Sequence, residues 1–245
     1  MVCDPQRVGA FTDRWMMGNS VAVLYIYYGH YNYKTFMESY KFYDSGYPHD
    51  LFTLLPGEGM NVGAFLDAAA KLPHEFICCC TAYTEFLTDD WLEKMMKVAE
   101  RPGVGAVDVM GSYESRSQWG YDGAAAEGFP AFPNPHLRVV CLLIRRELLL
   151  GFGFRPMRSK LDTLVFESGN TGLPACLKEI GLQQVVVGAD GTAYPEEMWS
   201  VSKTFRLGDQ SNLIAHDKHS RAFAAMNPEM RAWHTKIAYG DNTNV

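Results

Sequence analysis

The chain alternates short, wholly apolar runs with segments whose apolar residues recur every three or four positions. VAVLYIYY at 21–28 is apolar and rich in β-branched residues throughout, the pattern of a strand buried on both faces. It leads into YKTFMESYKFYDSG, where Phe36, Tyr40 and Tyr43 recur at helical spacing until Gly46 stops the run. HDLFTLLPG at 49–57 predicts a second strand ended by Pro-Gly. The segment after it places Val62, Phe65, Leu66, Ala69 and Leu72 on one face of a helix closed by Pro73. EFICCC predicts a third strand. DDWLEKMMKVAERPG predicts a helix with Asp89 or Asp90 as N-cap and Trp91, Leu92, Met95 and Ala99 turned inward. VGAVDVMGSY at 104–113 predicts a fourth strand.

These strand starts lie about one strand-helix-strand unit apart, which predicts a parallel sheet with helices on its faces. Ligands of such sheets sit beyond the carboxyl ends of the strands. The segments of interest are therefore YYGH (27–30), PGEG (56–59), TAYTE (81–85) and GSYES (111–115).

The second half has a different texture. A Pro- and aromatic-rich loop, EGFPAFPNPH (127–136), precedes LRVVCLLIRRELLLGF, which predicts a long strand or a strand with a turn. SKLDTLVFESGNTGLPACLKEIGL predicts two short helices broken near Gly169, and Ser159 with Asp162 has capping-box spacing for the first. QQVVVGADGTAY predicts a strand running into a turn, and the remainder is less regular. With no linker, low-complexity stretch or repeat between the halves, a single α/β domain over 1–245 is expected.

Composition sharpens this only in places. With 47% hydrophobic and 20% charged residues among 245, the chain suits a soluble protein with one sizeable core. A net charge of -6 disfavours a broad nucleic-acid footprint. One local basic run stands out: Arg138, Arg145, Arg146, Arg155, Arg158 and Lys160, opposed there by Glu147 alone. It is either a solvated edge or a site for phosphates. No run reaches the length of a membrane span, and the first twenty residues lack an apolar signal core, so a cytoplasmic location is expected. Six cysteines, three of them adjacent at 78–80, do not make a disulfide framework, because neighbours in a strand point to opposite faces. Cys78, Cys79 and Cys80 are expected as packing residues of a buried strand. No CxxC spacing or well-placed His supports a cysteine enzyme.

The run NVGAFLDAAAKLPHEFICCCTAYT resembles the nucleotide-sugar-binding core of family 2 glycosyltransferases, with Asn61, Gly63, Glu75 and Phe76 matching in place. The phrases DDWLEKM, PGVGAV, GSYES, PHLR, FESG, VVVGADG and TFRLGDQSNL look like those of bacterial and phage GT-A-type enzymes of about this length. The resemblance implies a GT-A fold: a Rossmann-like, mostly parallel sheet flanked by helices in a single composite domain. It implies a nucleotide-sugar-binding half at 21–115 and an acceptor-binding half at 116–245. The implied activity is transfer of a sugar from a nucleoside diphosphate sugar to a hydroxyl acceptor, a glycan or other hydroxyl compound or, less favoured by the acidic charge, a hydroxylated base of phage-type DNA. A GT-A-like binding module that has lost catalysis is the non-enzymatic alternative.

The chain departs from that family where the third strand ends. The Asp-x-Asp positions fall on Thr81 and Tyr83, which lack the carboxylate oxygens that Mg²⁺ or Mn²⁺ requires. Either basic side chains stabilise the departing diphosphate, Arg138 first with Arg116 and Arg206 behind it, or His216 and Asp217 supply metal ligands from the C-terminal segment. A hydroxyl acceptor needs a carboxylate base. The resemblance places that base near a helix start in the second half, where Glu167 in FESG and Asp162 lie; a cap or an ion pair with the basic loop would equally explain Glu167. Tyr27 and Tyr28 are candidates to stack on the nucleotide base, and Glu58 to approach the base or ribose. Trp119, Tyr121, Phe129 and Phe132 are candidates for an acceptor platform on a mobile lid. Asp108 stands in an otherwise apolar strand, where an unpaired charge is costly, so it is expected either to meet a partner such as an arginine or to lie on an exposed edge.

Overall fold

The computed structural model describes residues 20–57, 60–119 and 128–241, without the side chains of Gln118 and Trp119. Chain order begins with β1 (Val21–Ile26), α1 (His30–Phe42), β2 (His49–Leu54), α2 (Met60–Lys71), β3 (Phe76–Cys80), β4 (Glu85–Phe86), α3 (Trp91–Ala99) and β5 (Val104–Asp108). It continues with β6 (Gly111–Ser112), β7 (His136–Leu137), β8 (Cys141–Arg145), α4 (Arg146–Gly151), α5 (Lys160–Ser168), α6 (Leu173–Glu179), β9 (Gln183–Val187) and β10 (Ala193–Pro195). It closes with β11 (Ala215–His216), α7 (Lys218–Ala224) and α8 (Pro228–Tyr239).

Seven strands form one sheet in the order β10-β9-β5-β8-β3-β1-β2. β1 is parallel to β2 and β3, and β5 is parallel to β9, so the mostly parallel α/β sheet expected from the alternation is the observed one. The third and fourth predicted strands are not neighbours, however. β8 lies between β3 and β5 and runs antiparallel to both. Its apolar CLLI is buried, a composition suited only to a sheet interior.

Alternation along the strands sorts the core into two layers. Ala22, Leu24, Ile77, Cys79 and Leu142 face Val62 and Phe65 of α2 and Leu177 of α6. Val23, Tyr25, Cys78, Cys80 and Cys141 face Phe36 of α1 and Trp91, Leu92 and Met95 of α3. The three adjacent cysteines are therefore packing residues that divide between the layers, and all are buried.

Three local expectations are refined. Asp90 occupies the N-cap position of α3 but makes no capping bond, and Asp89 instead accepts from Asp44 N–H at 2.8 Å. The carbonyl of Ser45 caps α3, taking the N–H groups of Leu92 and Glu93 at 3.0 and 3.1 Å. Gly46, at φ 70, lets that loop dock, because a Cβ there would stand 2.7 Å from the Asp90 carboxylate. The segment 137–152, expected as a long strand or a strand with a turn, is strand β8 followed by helix α4, and the less regular C-terminal segment contains helices α7 and α8.

Asp108 meets neither an arginine nor solvent. Fully buried, it accepts the N–H groups of Val109 at 2.7 Å, Cys141 at 2.9 Å and Val140 at 3.1 Å. The last two converge because Val139 takes a left-handed backbone, φ 52, which a β-branched residue adopts only under constraint. Asp108 thus fastens the carboxyl end of β5 to the kink that delivers Arg138.

Candidate functional site

The carboxyl ends of β1, β3 and β5 open on one side of the sheet, where the segments after them meet β6, β7, β11 and α7. After β1, the two tyrosines divide. Tyr27 is half-buried, donates its N–H to Leu54 O at 2.8 Å and packs 5.5 Å from the Tyr33 ring, whereas Tyr28 is 60% exposed. Tyr31, Leu55 and Met60 are exposed in the flanking segments. Asn61 is half-buried in the first turn of α2, and Gly63 lets α2 pack closely on Met157. Glu58 lies outside the described residues.

After β3, Thr81–Thr84 forms a turn closed by Thr84 N–H on Thr81 O and pinned by the Thr84 hydroxyl on Val140 O at 2.8 Å. Tyr25 donates its hydroxyl to Ala82 O from below. β4 then pairs with β11, setting Glu85 opposite His216. Arg221 of α7 donates to the Glu85 carboxylate at 2.5 Å and to Tyr83 O at 3.2 Å. The ammonium of the exposed Lys218 stands 5.3 Å from the centre of the Tyr83 ring. Tyr83, the second of the Asp-x-Asp positions, is thus faced by two cations from one helix.

His216 and Asp217 lie on β11 and at the start of α7, and one ring nitrogen of His216 and one carboxylate oxygen of Asp217 serve the fold. Asp217 is the buried N-cap of α7, accepting Ser220 N–H at 2.7 Å, and Ser220 Oγ returns the bond to Asp217 N–H at 2.9 Å. His216 Nδ1 lies 2.9 Å from the same Ser220 hydroxyl. Among the described residues, the cluster of three His, Cys, Asp or Glu donors is Cys78, Cys80 and Cys141. Those buried sulfurs do not suit a hard cation. Thr81 and Tyr83 offer no carboxylate, and Glu85 is committed to Arg221. The residues present do not fit Mg²⁺ or Mn²⁺.

After β5, the ribbon β6–β7 brings in an ion cluster. Glu114 accepts from Arg138 Nη1 at 3.0 Å and, closely, from Arg206 Nη1. Both guanidinium groups rest on the Phe205 ring, at 4.7 and 4.8 Å from its centre. Burial alone would raise the Glu114 carboxyl, but Arg138 and then Arg206 overcome it and hold Glu114 below the ordinary glutamate value. The Nε atoms of both arginines are buried and bond to no described acceptor. Arg206, like Val139, has a left-handed backbone, φ 53, so both residues that aim this cluster sit in strained conformations. Burial pushes the His136 and His219 imidazoles down to about 4, which leaves both neutral near pH 7.

Glu167 lies on α5, close enough to this cluster to be influenced by it. Desolvation raises its carboxyl, against the pull of Arg138, Lys160 and Arg116. Asp162 is different: its carboxylate accepts from Arg158 N–H at 2.9 Å and from the Ser159 hydroxyl at 2.8 Å, while Ser159 caps α5. The backbone N–H of Arg158 holds Asp162 below its ordinary value, so it is a cap acid. Of the expected acceptor platform, Phe129 is buried and belongs to the packing, and Phe132 is half-buried against Gly240. Tyr121 and the Trp119 side chain lie outside the described residues.

Sequence reasoning missed Glu114, His136, Lys218, His219 and Arg221. Glu114 had a signal, an acid directly after a strand end. Lys218 and Arg221 had a fainter one, two cations three apart, one within and one just after an Asp-x-x-Ser capping pattern.

No protein-family model matches the chain, and no curated protein matches it. Among solved structures, one that matches is the mannosyltransferase PcManGT from Pyrobaculum calidifontis in complex with GDP-Man and Mn²⁺. It is 17% identical, with a TM-score of 0.39 over 60% of this chain and 52% of that one. The present chain therefore spans about half of that protein, and a likeness this low does not extend to activity, donor or metal.

Proposed function

We propose that the chain is a GT-A-type, inverting glycosyltransferase that moves a sugar from a nucleoside diphosphate sugar to a hydroxyl acceptor. The observation that carries this is a pair of carboxylates with opposed environments around Arg138, at the carboxyl ends of the strands. Glu114 is held ionised by two arginines, and Glu167 is raised by burial. Such a division supplies one fixed charge and one proton acceptor.

In the reaction, Glu167 takes the proton of the acceptor hydroxyl as its oxygen attacks the anomeric carbon. The bond from that carbon to the diphosphate breaks, and its electron pair leaves with the nucleoside diphosphate. A carboxylate raised toward neutrality accepts that proton at lower cost. Arg138, locked by Glu114, acts as a fixed positive charge beside the departing diphosphate. Tyr28 and Asn61, with Glu58, would meet the nucleoside, Thr81 and Tyr83 the diphosphate, and Phe132 with Trp119 and Tyr121 the acceptor. The nucleoside is then met from 21–115 and the acceptor from 116–245, with Arg138 of the second half reaching the diphosphate between them.

Calorimetry of the full chain with UDP, GDP and TDP, with and without Mn²⁺, tests the proposal. Saturable binding of at least one is expected, and no binding of any would end it. Donor hydrolysis separates an enzyme from a binding module, because water can replace the acceptor in an active site.

A further inference from the structure

We infer that Lys218 and Arg221 stand where a divalent cation would bridge a nucleoside diphosphate, and that they bind this diphosphate directly without metal. The inference deepens the nucleotide-sugar proposal and rests on it. Its starting point is a mismatch at the end of β3. The turn at Thr81–Thr84 lies at the carboxyl end of a central strand, where a phosphate group is expected, yet the turn carries no acid. Two acids of the neighbouring elements are already engaged, Glu85 by Arg221 and Asp217 by the Ser220 N–H of the α7 capping box.

What the turn does face is positive charge. Lys218 and Arg221 lie three residues apart on α7, so both project from one side of the helix toward the turn. The Arg221 guanidinium is held in place by Glu85 and by the carbonyl of Tyr83. The Lys218 ammonium lies against the Tyr83 ring, is exposed, and forms no ion pair with a described carboxylate. It is a point charge on a flexible stem, able to reach an incoming phosphate, whereas Arg221 is a preset one. The capping box and the β4–β11 pairing hold the start of α7 beside the turn, which sets Arg221 and the root of the Lys218 stem relative to Tyr83. A divalent cation placed between them would meet like charge on one side and no carboxylate on the other.

The test is calorimetry of the full chain with GDP and UDP and with the matching nucleosides, in EDTA and in Mn²⁺. Lys218→Met, Lys218→Arg and the parent protein are compared, with thermal melting to confirm that the exposed substitution leaves the fold intact. The parent is expected to bind a nucleoside diphosphate equally in EDTA and in Mn²⁺. Lys218→Met should weaken that binding about tenfold or more, the size of one charge-assisted hydrogen bond. Nucleoside affinity should not change, and Lys218→Arg should retain most of the diphosphate affinity. Binding that needs Mn²⁺, or that Lys218→Met leaves unaltered, would overturn the metal-free site while sparing the nucleotide-sugar proposal. Absence of any nucleoside diphosphate binding to the parent, in either condition, would overturn both.

Discussion

Arg138 donates to Glu114 at 3.0 Å in a pocket where the two side chains are only 15% and 11% exposed. Arg206 shares the same carboxylate, so Glu114 is the acid that two buried guanidinium groups depend on. Glu114→Gln leaves those charges facing a neutral amide. Removing one partner of a buried pair typically costs ~3–5 kcal/mol, and a loss of that order is expected in urea denaturation at pH 7. The sign with pH follows from the depressed carboxyl. Its contribution is present above the ordinary glutamate value and disappears as pH falls through the lower folded value. The parent protein's advantage over Glu114→Gln should therefore shrink in acid. An advantage that stays constant with pH would show that Glu114 titrates normally.

Asp108 is expected to behave in the opposite sense. Burial pushes its carboxyl up to about 7, while the amides of Cys141, Val109 and Val140 pull it down. Between the ordinary aspartate value and about 7 the folded state then holds more protons than the unfolded one, so stability falls as pH rises through that window. Asn does not titrate, so the difference between parent and Asp108→Asn isolates this group. That difference should drop by ~1.4 kcal/mol per pH unit across the window and level off on either side. Because Asn would point an amide N–H₂ at a backbone N–H, Asp108→Asn should also weaken the kink at Val139. Denaturation from pH 4 to pH 8 gives the curve, and a flat difference would assign Asp108 an ordinary titration.

The sequence made the central strands legible because they are apolar on both faces, and no other placement suits VAVLYI or FICCC. Helix α2 was legible because its buried stripe is local. What was not legible came from distant partners. The cap of α3 is a carbonyl of Ser45, contributed by a loop far upstream, so the two aspartates at its start misled. β8 could be recognised as a strand, but its insertion between β3 and β5 is a matter of topology that no local pattern encodes. In the site, Arg138 was legible and its partner Glu114 was only partly so. His216 pairs across from Glu85, just after the turn, while Asp217 and Ser220 form the capping box of α7, a use of Asp217 that only the helix start reveals.

Tyr28 offers a test of the donor side that leaves the fold alone. It is 60% exposed and follows β1, whereas Tyr27 packs inward against Tyr33. If Tyr28 stacks on the nucleotide base, Tyr28→Ala should reduce nucleoside affinity by ~1–3 kcal/mol, the usual worth of an aromatic ring under a base. The melting temperature should not change. Tyr27→Ala should instead lower the melting temperature, since it removes a packed ring. Equal nucleoside affinity in Tyr28→Ala and the parent would remove Tyr28 from the site.

Glu167 carries the sharpest prediction for catalysis. Its carboxyl is raised by desolvation and sits under the influence of Arg138, Lys160 and Arg116, so Glu167→Gln removes a proton acceptor while keeping the shape of the side chain. Donor binding should persist, because the base acts on the acceptor. Turnover should fall ~10²–10⁴-fold, the usual contribution of a positioned general base. The parent's kcat should rise with pH through a value above the ordinary glutamate range, and that rise should vanish from the residual activity of Glu167→Gln. A structural role would instead lower donor affinity and melting temperature together and leave the pH profile in place. Measuring kcat, donor affinity and the pH profile on the same pair of proteins separates the two outcomes.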